Sequence, residues 1–181
     1  MKSLIITWSS FQDQEVVYPY YRLREETKNE SDVKIMADVL GKFHGIMGVN
    51  MESHYLVSDL NVKKIRLDFL KNYDLLVIPG GVKALEKLRQ EKQVLDFIFD
   101  WNNEGKVIAS TCHGAQLLIS AKIVKGRSIS GYYSMKDDII NAGATFKDSP
   151  FVVDRNIITS PHYKYVHFWM KETIRLTKNR K

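Results

Sequence analysis

The chain has 181 residues, of which 44% are hydrophobic and 27% are charged, and its formal net charge is +6. This composition is close to that of soluble globular proteins and excludes disordered and fibrous chains, and the length predicts a single domain over residues 1–181. No apolar run approaches the roughly 20 residues of a membrane helix, and the opening MKSLIITWSS is too short in apolar residues for a signal peptide. We therefore expect a cytoplasmic protein with no membrane partner.

The basic residues are spread along the chain rather than clustered. They alternate with acidic residues, as in segments 71–74 and 86–96, and only the tail 178–181 (KNRK) is a basic run. Binding to a phosphate backbone needs clustered lysine and arginine. The pattern therefore indicates a mixed-charge surface, and we expect no nucleic-acid partner.

The first third of the chain predicts a strand followed by a helix. Residues 3–7 (SLIIT) form a short apolar run typical of a buried strand. Residues 16–26 are predicted as a helix with Pro19 in its first turn, where proline is tolerated. Val33–Ala37 is a second strand candidate, and residues 38–61 are predicted as loop and short strands.

The middle of the chain alternates strands with helices. Leu75–Ile78 is a continuous apolar run, which is typical of a central parallel strand covered on both faces, and a Pro-Gly-Gly segment (79–81) ends it. Residues 85–103 are predicted as one helix, with apolar residues at helical spacing and Gly105 as its C-terminal cap. A buried strand over residues 107–110 follows.

The last third continues this pattern. Residues 116–121 are predicted as a helix, Gly143 stops another helix, and residues 152–158 are predicted as a hairpin around Asp-Arg-Asn. A final helix has an apolar inner stripe at positions 166, 169, 170, 173 and 174. The alternation predicts an α/β fold with a mostly parallel central sheet.

The chemistry is concentrated in residues 107–115 (VIASTCHGA), where a predicted strand ends in the single cysteine of the chain, Cys112. A nucleophile between a strand and a helix is held in a strained conformation with its side chain exposed, and Gly114 and Ala115 make the tight turn feasible. The positive end of the following helix is expected to lower the pKa of the thiol. A buried structural cysteine is the alternative, but this context favours a reactive one.

Several segments, in this order, resemble the PfpI-like superfamily, which includes intracellular cysteine peptidases and Parkinson-associated deglycases and is related to class I glutamine amidotransferases. The segments are 15–19 (EVVYP), 73–81 (YDLLVIPGG), 111–118 (TCHGAQLL), 125–127 (KGR), 137–138 (DD), 141–144 (NAGA) and 158–160 (ITS), together with Tyr132. The resemblance implies a flavodoxin-like three-layer sandwich with helices on both faces. It also implies a homodimer or higher homo-oligomer without a cofactor.

The resemblance implies that Cys112 is the nucleophile and that the carboxyl of Glu15 approaches its sulfur. A carboxyl that burial keeps protonated can donate a hydrogen bond to a thiolate or transfer a proton during turnover. Without the resemblance, Glu15 would be interpreted as a surface acid at a helix start. Gly80 and Gly81 match an oxyanion turn, where absent side chains let backbone amides approach a negative oxygen; otherwise they only end a strand.

His113 and Tyr132 also match positions near the cysteine of the family. A residue next to the nucleophile on a tight turn often points away from it, so the imidazole of His113 and its backbone amide remain alternative catalytic groups. Tyr132 is predicted to contact substrate, with a packed hydroxyl as the alternative. The remaining histidines lack zinc-ligand spacing and have no second cysteine beside them, so no metal is expected; they are His44, His54, His162 and His167.

The sequence also departs from the family pattern. Peptidase-like members carry a glutamate where this chain has Leu85, and Glu86, one position later, is expected to point elsewhere on its helix. An arginine common after Thr-Ser is replaced by Pro161, and the segment 162–167 diverges. These departures leave the substrate undetermined.

Three functions are compatible with a reactive Cys112. The first is addition of the thiolate to a reactive carbonyl, as the resemblance to glyoxalase and deglycase members implies, with Glu15 moving a proton. The second is hydrolysis of amide or peptide bonds through a thioester, which the absence of the matching glutamate weakens. The third is a non-enzymatic redox sensor or chaperone, in which Cys112 is oxidised to a sulfinate.

Overall fold

The computed structural model describes residues 1–180 and has a seven-stranded central sheet. The strands are β1 (Ser3–Ile6), β2 (Val33–Ala37), β3 (Gly41–His44), β4 (Asn50–Ser53), β5 (Tyr55–Leu56), β6 (Leu75–Ile78), β7 (Val107–Thr111), β8 (Ser128–Ile129), β9 (Thr145–Phe146), β10 (Val152–Asp154) and β11 (Ile157–Ser160). The sheet order is β10-β11-β7-β6-β1-β2-β5, and every neighbouring pair is parallel except β10 with β11. β3 pairs with β4, and β8 with β9, outside this sheet.

Helices cover both faces of the sheet. They are α1 (Asp13–Arg24), α2 (Lys63–Asn72), α3 (Val82–Leu88), α4 (Lys92–Asn103), α5 (Ala115–Ser120), α6 (Lys136–Asn141) and α7 (Val166–Asn179). α1 packs against α7, and α4 packs against α2 and α5. The central strands β1, β6 and β7 are buried at every position, because parallel strands between two helical layers have no solvated face. The predicted α/β architecture is confirmed. None of the helices in the described part of the chain is both long and apolar enough to cross a membrane.

The first helix begins earlier than the sequence predicts. α1 starts at Asp13, so Pro19 lies in the helix interior rather than in its first turn. Proline has no amide hydrogen to donate to the carbonyl four residues before it, here that of Glu15. The earlier start places both Asp13 and Glu15 in the first turn, and both side chains are buried. This turn contributes to the candidate active site described below.

The single helix predicted over residues 85–103 is wrong, because the structure contains two helices there. α3 ends at Leu88 and α4 begins at Lys92, with Glu91 in extended conformation between them. Leu85 and Val94 are both fully buried. At about 100° per residue they would lie on opposite sides of one straight helix. The break allows both side chains to reach the core.

Residues 38–61 contain the β3–β4 hairpin, the short strand β5 and a 3₁₀ turn at Val57–Asn61. The tip of the hairpin, residues 45–49, is held against the start of α1: the carboxylate of Asp13 accepts hydrogen bonds from the amides of Met47 at 2.8 Å and Val49 at 2.9 Å. The amide of Ile46 donates to the carbonyl of Phe11 at 2.9 Å. The tip therefore lies beside the carboxyl end of β1, where ligands bind in open α/β sheets.

Candidate active site

Cys112 lies directly after β7 in a strained backbone conformation. Its φ is 56°, in the left-handed region that L-residues seldom adopt, and it begins a 3₁₀ turn, Cys112–Gly114, that leads into α5. The amide of Tyr132 donates to the Cys112 carbonyl at 3.1 Å and fixes this turn. The sharp turn predicted between strand and helix is present, but Cys112 is buried at 8% exposure, so the exposed side chain expected there is not observed.

Glu15 is fully buried beside Cys112. Its Oε2 atom accepts a hydrogen bond from the Gly80 amide at 2.7 Å, and the carboxyl also lies within reach of the Cys112 thiol and the Tyr163 amide. Burial raises the pKa of Glu15 to about 7, and hydrogen bonds from the Gly80 amide, the Cys112 thiol and the Tyr163 amide oppose this rise. Both protonation states of this carboxyl are therefore accessible near neutral pH.

Gly80 allows this close contact. A Cβ atom at Gly80 would lie 2.3 Å from Glu15 Oε2 and 2.6 Å from Cys112 Cβ, so no larger residue fits. The predicted oxyanion role needs a correction here, because the Gly80 amide is already bound to Glu15. The amides of Gly81 and His113 lie near the sulfur, where each lowers the pKa of the thiol. These two remain the amides that could hold a developing negative charge.

The pKa of the Cys112 thiol differs from the sequence-based expectation. The helix end was expected to lower it, but burial raises it, and the negative charge of Glu15 raises it further. α5 has only six residues, and the amides of His113 and Gly81 oppose the rise without overcoming it. The thiol and the carboxyl are therefore two buried acids that compete for the same proton.

The imidazole of His113 faces the sulfur instead of pointing away. Its Nδ1 atom lies 3.3 Å from Cys112 Sγ. Burial lowers the pKa of His113, and the negative charge of Glu86 opposes this. Glu86 is exposed and lies outside the cavity lining, so only its charge acts on the imidazole. A neutral Nδ1 at this distance can accept the thiol proton.

A column of stacked rings continues from His113. The ring of Tyr132 stacks on that of His113, with centroids 4.6 Å apart. The ring of His162 stacks in turn on that of Tyr132, with centroids 5.9 Å apart. His162 Nδ1 accepts a hydrogen bond from the Lys164 amide at 3.2 Å. Sequence analysis brought Tyr132 to the site but left His162 out, because it lies 50 residues from Cys112 and only the sheet order brings β11 beside β7.

An open cavity of about 530 Å³ gives access to the sulfur. It is lined by Gln12, Ile46, Gly81, Val82, Lys83, Cys112, His113, Tyr132, His162 and Tyr163. Lys83 is the one lysine or arginine in this lining, and no aspartate or glutamate belongs to it. Within residues 1–180, no group of three or more histidine, cysteine, aspartate and glutamate side chains is arranged to hold a metal ion.

A second, larger groove of about 640 Å³ runs along α1 and does not include Cys112. Its apolar lining comes from Val17, Tyr18, Tyr21, Met47 and Val49. The groove contains neither the Cys112 thiol nor the Glu15 carboxyl, so we assign the chemistry to the smaller cavity.

The fold and this site define an α/β protein with a cysteine on a strand-to-helix turn and a buried glutamate beside it. The chain belongs to the DJ-1/PfpI family, whose model matches residues 1–176. It is 36% identical to the Deglycase PfpI of Pyrococcus furiosus over 178 residues, which are 98% of this chain and 100% of that one. It is also 36% identical to the Deglycase PH1704 of Pyrococcus horikoshii, with the same coverage.

Solved structures share the fold at lower identity. DJ-1 of Schizosaccharomyces pombe matches with a TM-score of 0.84 and 18% identity, covering 97% of this chain and 90% of that one. DJ-1beta of Drosophila melanogaster matches with a TM-score of 0.78 and 20% identity, covering 98% and 91%. These similarities establish the flavodoxin-like arrangement of a parallel sheet between helical layers.

Proposed function

We propose that this protein is a cysteine-dependent enzyme of the deglycase or glyoxalase type that acts on reactive carbonyl compounds, with Cys112 as the nucleophile and Glu15 as the proton carrier. The observation that carries the proposal is the buried carboxyl of Glu15, which accepts the Gly80 amide at 2.7 Å and lies beside the Cys112 thiol. Its pKa of about 7 suits a group that both gives and takes protons at neutral pH. Relatives covering the whole chain are named deglycases.

The reaction can be written for methylglyoxal. The Cys112 sulfur forms a bond to the aldehyde carbon, and the carbonyl electron pair moves to oxygen, which takes a proton to give a hemithioacetal. Glu15 then removes the proton from that carbon while the ketone oxygen gains a proton, which gives an enediol. Return of a proton to the neighbouring carbon and loss of the proton from the first hydroxyl give a hydroxy thioester. Water cleaves the thioester, releases lactate and regenerates the thiol. The amides of Gly81 and His113 would stabilise the negative oxygen.

The first experiment measures lactate formation from methylglyoxal without added glutathione. The wild type is compared with Cys112→Ala and Glu15→Gln, and with Glu104→Gln as a control at an exposed carboxylate. We expect activity in the wild type and the control and its loss in both site variants, while circular dichroism shows that all are folded. Retention of activity in Cys112→Ala would contradict the proposal.

A second candidate is hydrolysis of an amide or peptide through a thioester. The contact that favours it is the 3.3 Å approach of His113 Nδ1 to Cys112 Sγ, because a histidine beside a cysteine can activate the nucleophile and protonate a leaving amine. Turnover of a fluorogenic peptide that depends on Cys112, together with no activity on methylglyoxal, would favour this function. Selective gain of oxygen at Cys112 in mild peroxide, without either activity, would instead favour a redox sensor.

We further propose that the chain acts in the cytoplasm, in the response to carbonyl stress, as a homodimer or higher homo-oligomer. Support for self-association comes from the apolar groove along α1, whose lining residues Tyr21 and Met47 are 55% and 69% exposed. Exposed apolar patches of this kind mark interaction surfaces. Light scattering after size exclusion should give a mass at least twice that of the chain, and Met47→Lys should lower it.

A further inference from the structure

The column of rings beside Cys112 is supported at its far end. His162 precedes the short turn Tyr163–Tyr165. The Lys164 amide in this turn donates a hydrogen bond to His162 Nδ1, and this bond fixes the orientation of the imidazole. Tyr163 packs against His162 with centroids 4.0 Å apart. Tyr132 therefore has two stacked ring neighbours, His113 at 4.6 Å and His162 at 5.9 Å.

His113 needs such support for a geometric reason. It is adjacent to Cys112 in sequence and its side chain lines an open cavity, so rotation about its side-chain bonds would carry Nδ1 away from the sulfur. The ring of Tyr132 is stacked on the imidazole, with an interplanar angle of 27°. The stacking fixes the plane in which Nδ1 lies 3.3 Å from Sγ.

We propose that His162, acting through Tyr132, is a positioning residue that holds the His113 imidazole with Nδ1 towards the Cys112 sulfur. The role rests on the proposed function of Cys112 as the nucleophile. As the sulfur attacks an electrophile, its S–H bond breaks, the electron pair forms the new S–C bond, and the proton moves to His113 Nδ1. The result is an imidazolium stacked on the electron-rich face of Tyr132, an arrangement that is itself attractive.

The charges around the column agree with this role. Burial and the positive charge of Lys164 lower the pKa of His162, so that it is neutral and does not repel an imidazolium at His113. Glu86 belongs to α3, and its negative charge favours the protonated imidazole of His113. The other ionisable groups that face the pair are Glu15 beneath the sulfur and Lys83 at the cavity mouth.

The test measures the rate at which iodoacetamide alkylates Cys112 over roughly pH 6 to 10. Because Cys112 is the one cysteine of the chain, intact mass reports its modification alone. Two variants separate the ring from the turn: His162→Asn keeps a side chain that can accept from the Lys164 amide, whereas His162→Phe keeps a ring and loses the acceptor. His167→Ala, at an exposed histidine outside the column, is the control.

We expect His162→Asn to slow alkylation at neutral pH about fivefold, the effect of losing one aromatic pair, and to shift the rate profile to higher pH. His162→Phe and the control should stay within about twofold of the wild type, since they keep the column. Tyr132→Leu should slow the reaction as His162→Asn does. Thermal unfolding confirms that each variant is folded.

Wild-type rates in His162→Asn with slow alkylation in His162→Phe would show that His162 is only a turn cap, and this would overturn the proposal. Equal slowing in both variants would assign the effect to the turn and overturn it too. Alkylation does not require turnover, so the two proposals fail separately: an enzyme without carbonyl activity can still show this pattern, and an active enzyme can lack it.

Discussion

The carboxyl of Glu15 raises the pKa of the Cys112 thiol beside it, while burial raises the pKa of Glu15 itself to about 7. The two groups come from the first turn of α1 and the end of β7, which are 97 residues apart, and both touch Gly80. A thiolate and a carboxylate cannot both be stable in this enclosed space. The pair therefore holds a proton that can be moved during a reaction, and this has measurable consequences.

Glu15 should make the stability of the protein depend on pH. Its pKa of about 7 in the folded protein lies above the ordinary value of 4.5. The contribution of the protonated carboxyl to the free energy of unfolding is therefore fully present below pH 4.5 and is lost as pH rises through 7. The free energy of unfolding should fall by about 3 kcal/mol over this interval, because one proton is bound more tightly in the folded state. Urea unfolding should show that Glu15→Gln gains stability relative to the wild type by this order between about pH 5 and pH 8. Glu104→Gln should show no such trend, and a constant difference for Glu15→Gln would contradict the prediction.

Replacement of Gly80 by alanine should disrupt the site. The new Cβ would overlap Glu15 Oε2 and Cys112 Cβ, at 2.3 Å and 2.6 Å, so one of these groups must move. We expect Gly80→Ala to lower carbonyl turnover at least about a hundredfold, since displacement of a reacting group by about 1 Å has this effect. Gly105→Ala is the matched control: its φ is +68° but no atom lies within 4 Å, so it should lose only about 1 kcal/mol of stability. Normal turnover in Gly80→Ala would be inconsistent with the packing described.

Lys83 should favour negatively charged reagents at Cys112. It is the one lysine or arginine of the cavity lining, which has no carboxylate. The ratio of alkylation rates for iodoacetate and iodoacetamide should fall about threefold in Lys83→Gln at low salt, and the effect should weaken as salt screens the charge. Lys87→Gln, on the same helix but outside the lining, should leave the ratio unchanged. If both variants change it equally, the charge of the whole protein is responsible.

Asp13 should hold the hairpin tip at the cavity mouth. Its carboxylate accepts the amides of Met47 and Val49 and is nearly fully buried. Asp13→Ala leaves both amides without this partner and should lower the free energy of unfolding by about 2 kcal/mol. Asp96→Ala removes an exposed ion pair with Lys92 and should cost less than about 1 kcal/mol. Limited proteolysis should cut the 45–49 segment faster in Asp13→Ala alone; equal cutting in both variants would argue against this anchor.

Local patterns predicted much of the fold. The apolar runs of β1, β2, β6 and β7, the β10–β11 hairpin and the turn at Cys112 are all visible in the sequence, because each depends on residues a few positions apart. Local sequence patterns failed where a contact between residues distant in sequence decides the secondary structure. The break between α3 and α4 allows Leu85 and Val94 to be buried together, and no local signal marks it.

In the candidate site, too, some features were predicted from sequence and others depend on tertiary contacts. Cys112 and Glu15 were named from sequence, but the direction of the thiol pKa was not, since it depends on how completely the fold encloses the sulfur. The occupied amide of Gly80 also follows from tertiary contact with Glu15. His162 had no signal of its own, because a lone histidine in a divergent segment looks like any surface residue until β11 pairs with β7.

The first turn of α1 contains both Asp13 and Glu15, one tied to the cavity mouth and the other beneath the sulfur. Neither can be repositioned alone, because two residues on one turn rotate together by about 100° for each residue inserted or removed. A one-residue change in the loop before this helix would thus alter entry to the cavity and proton transfer in a single step. Variation among natural or engineered relatives should therefore be found in the substrate-facing side chains, with the length of the β1–α1 connection kept constant.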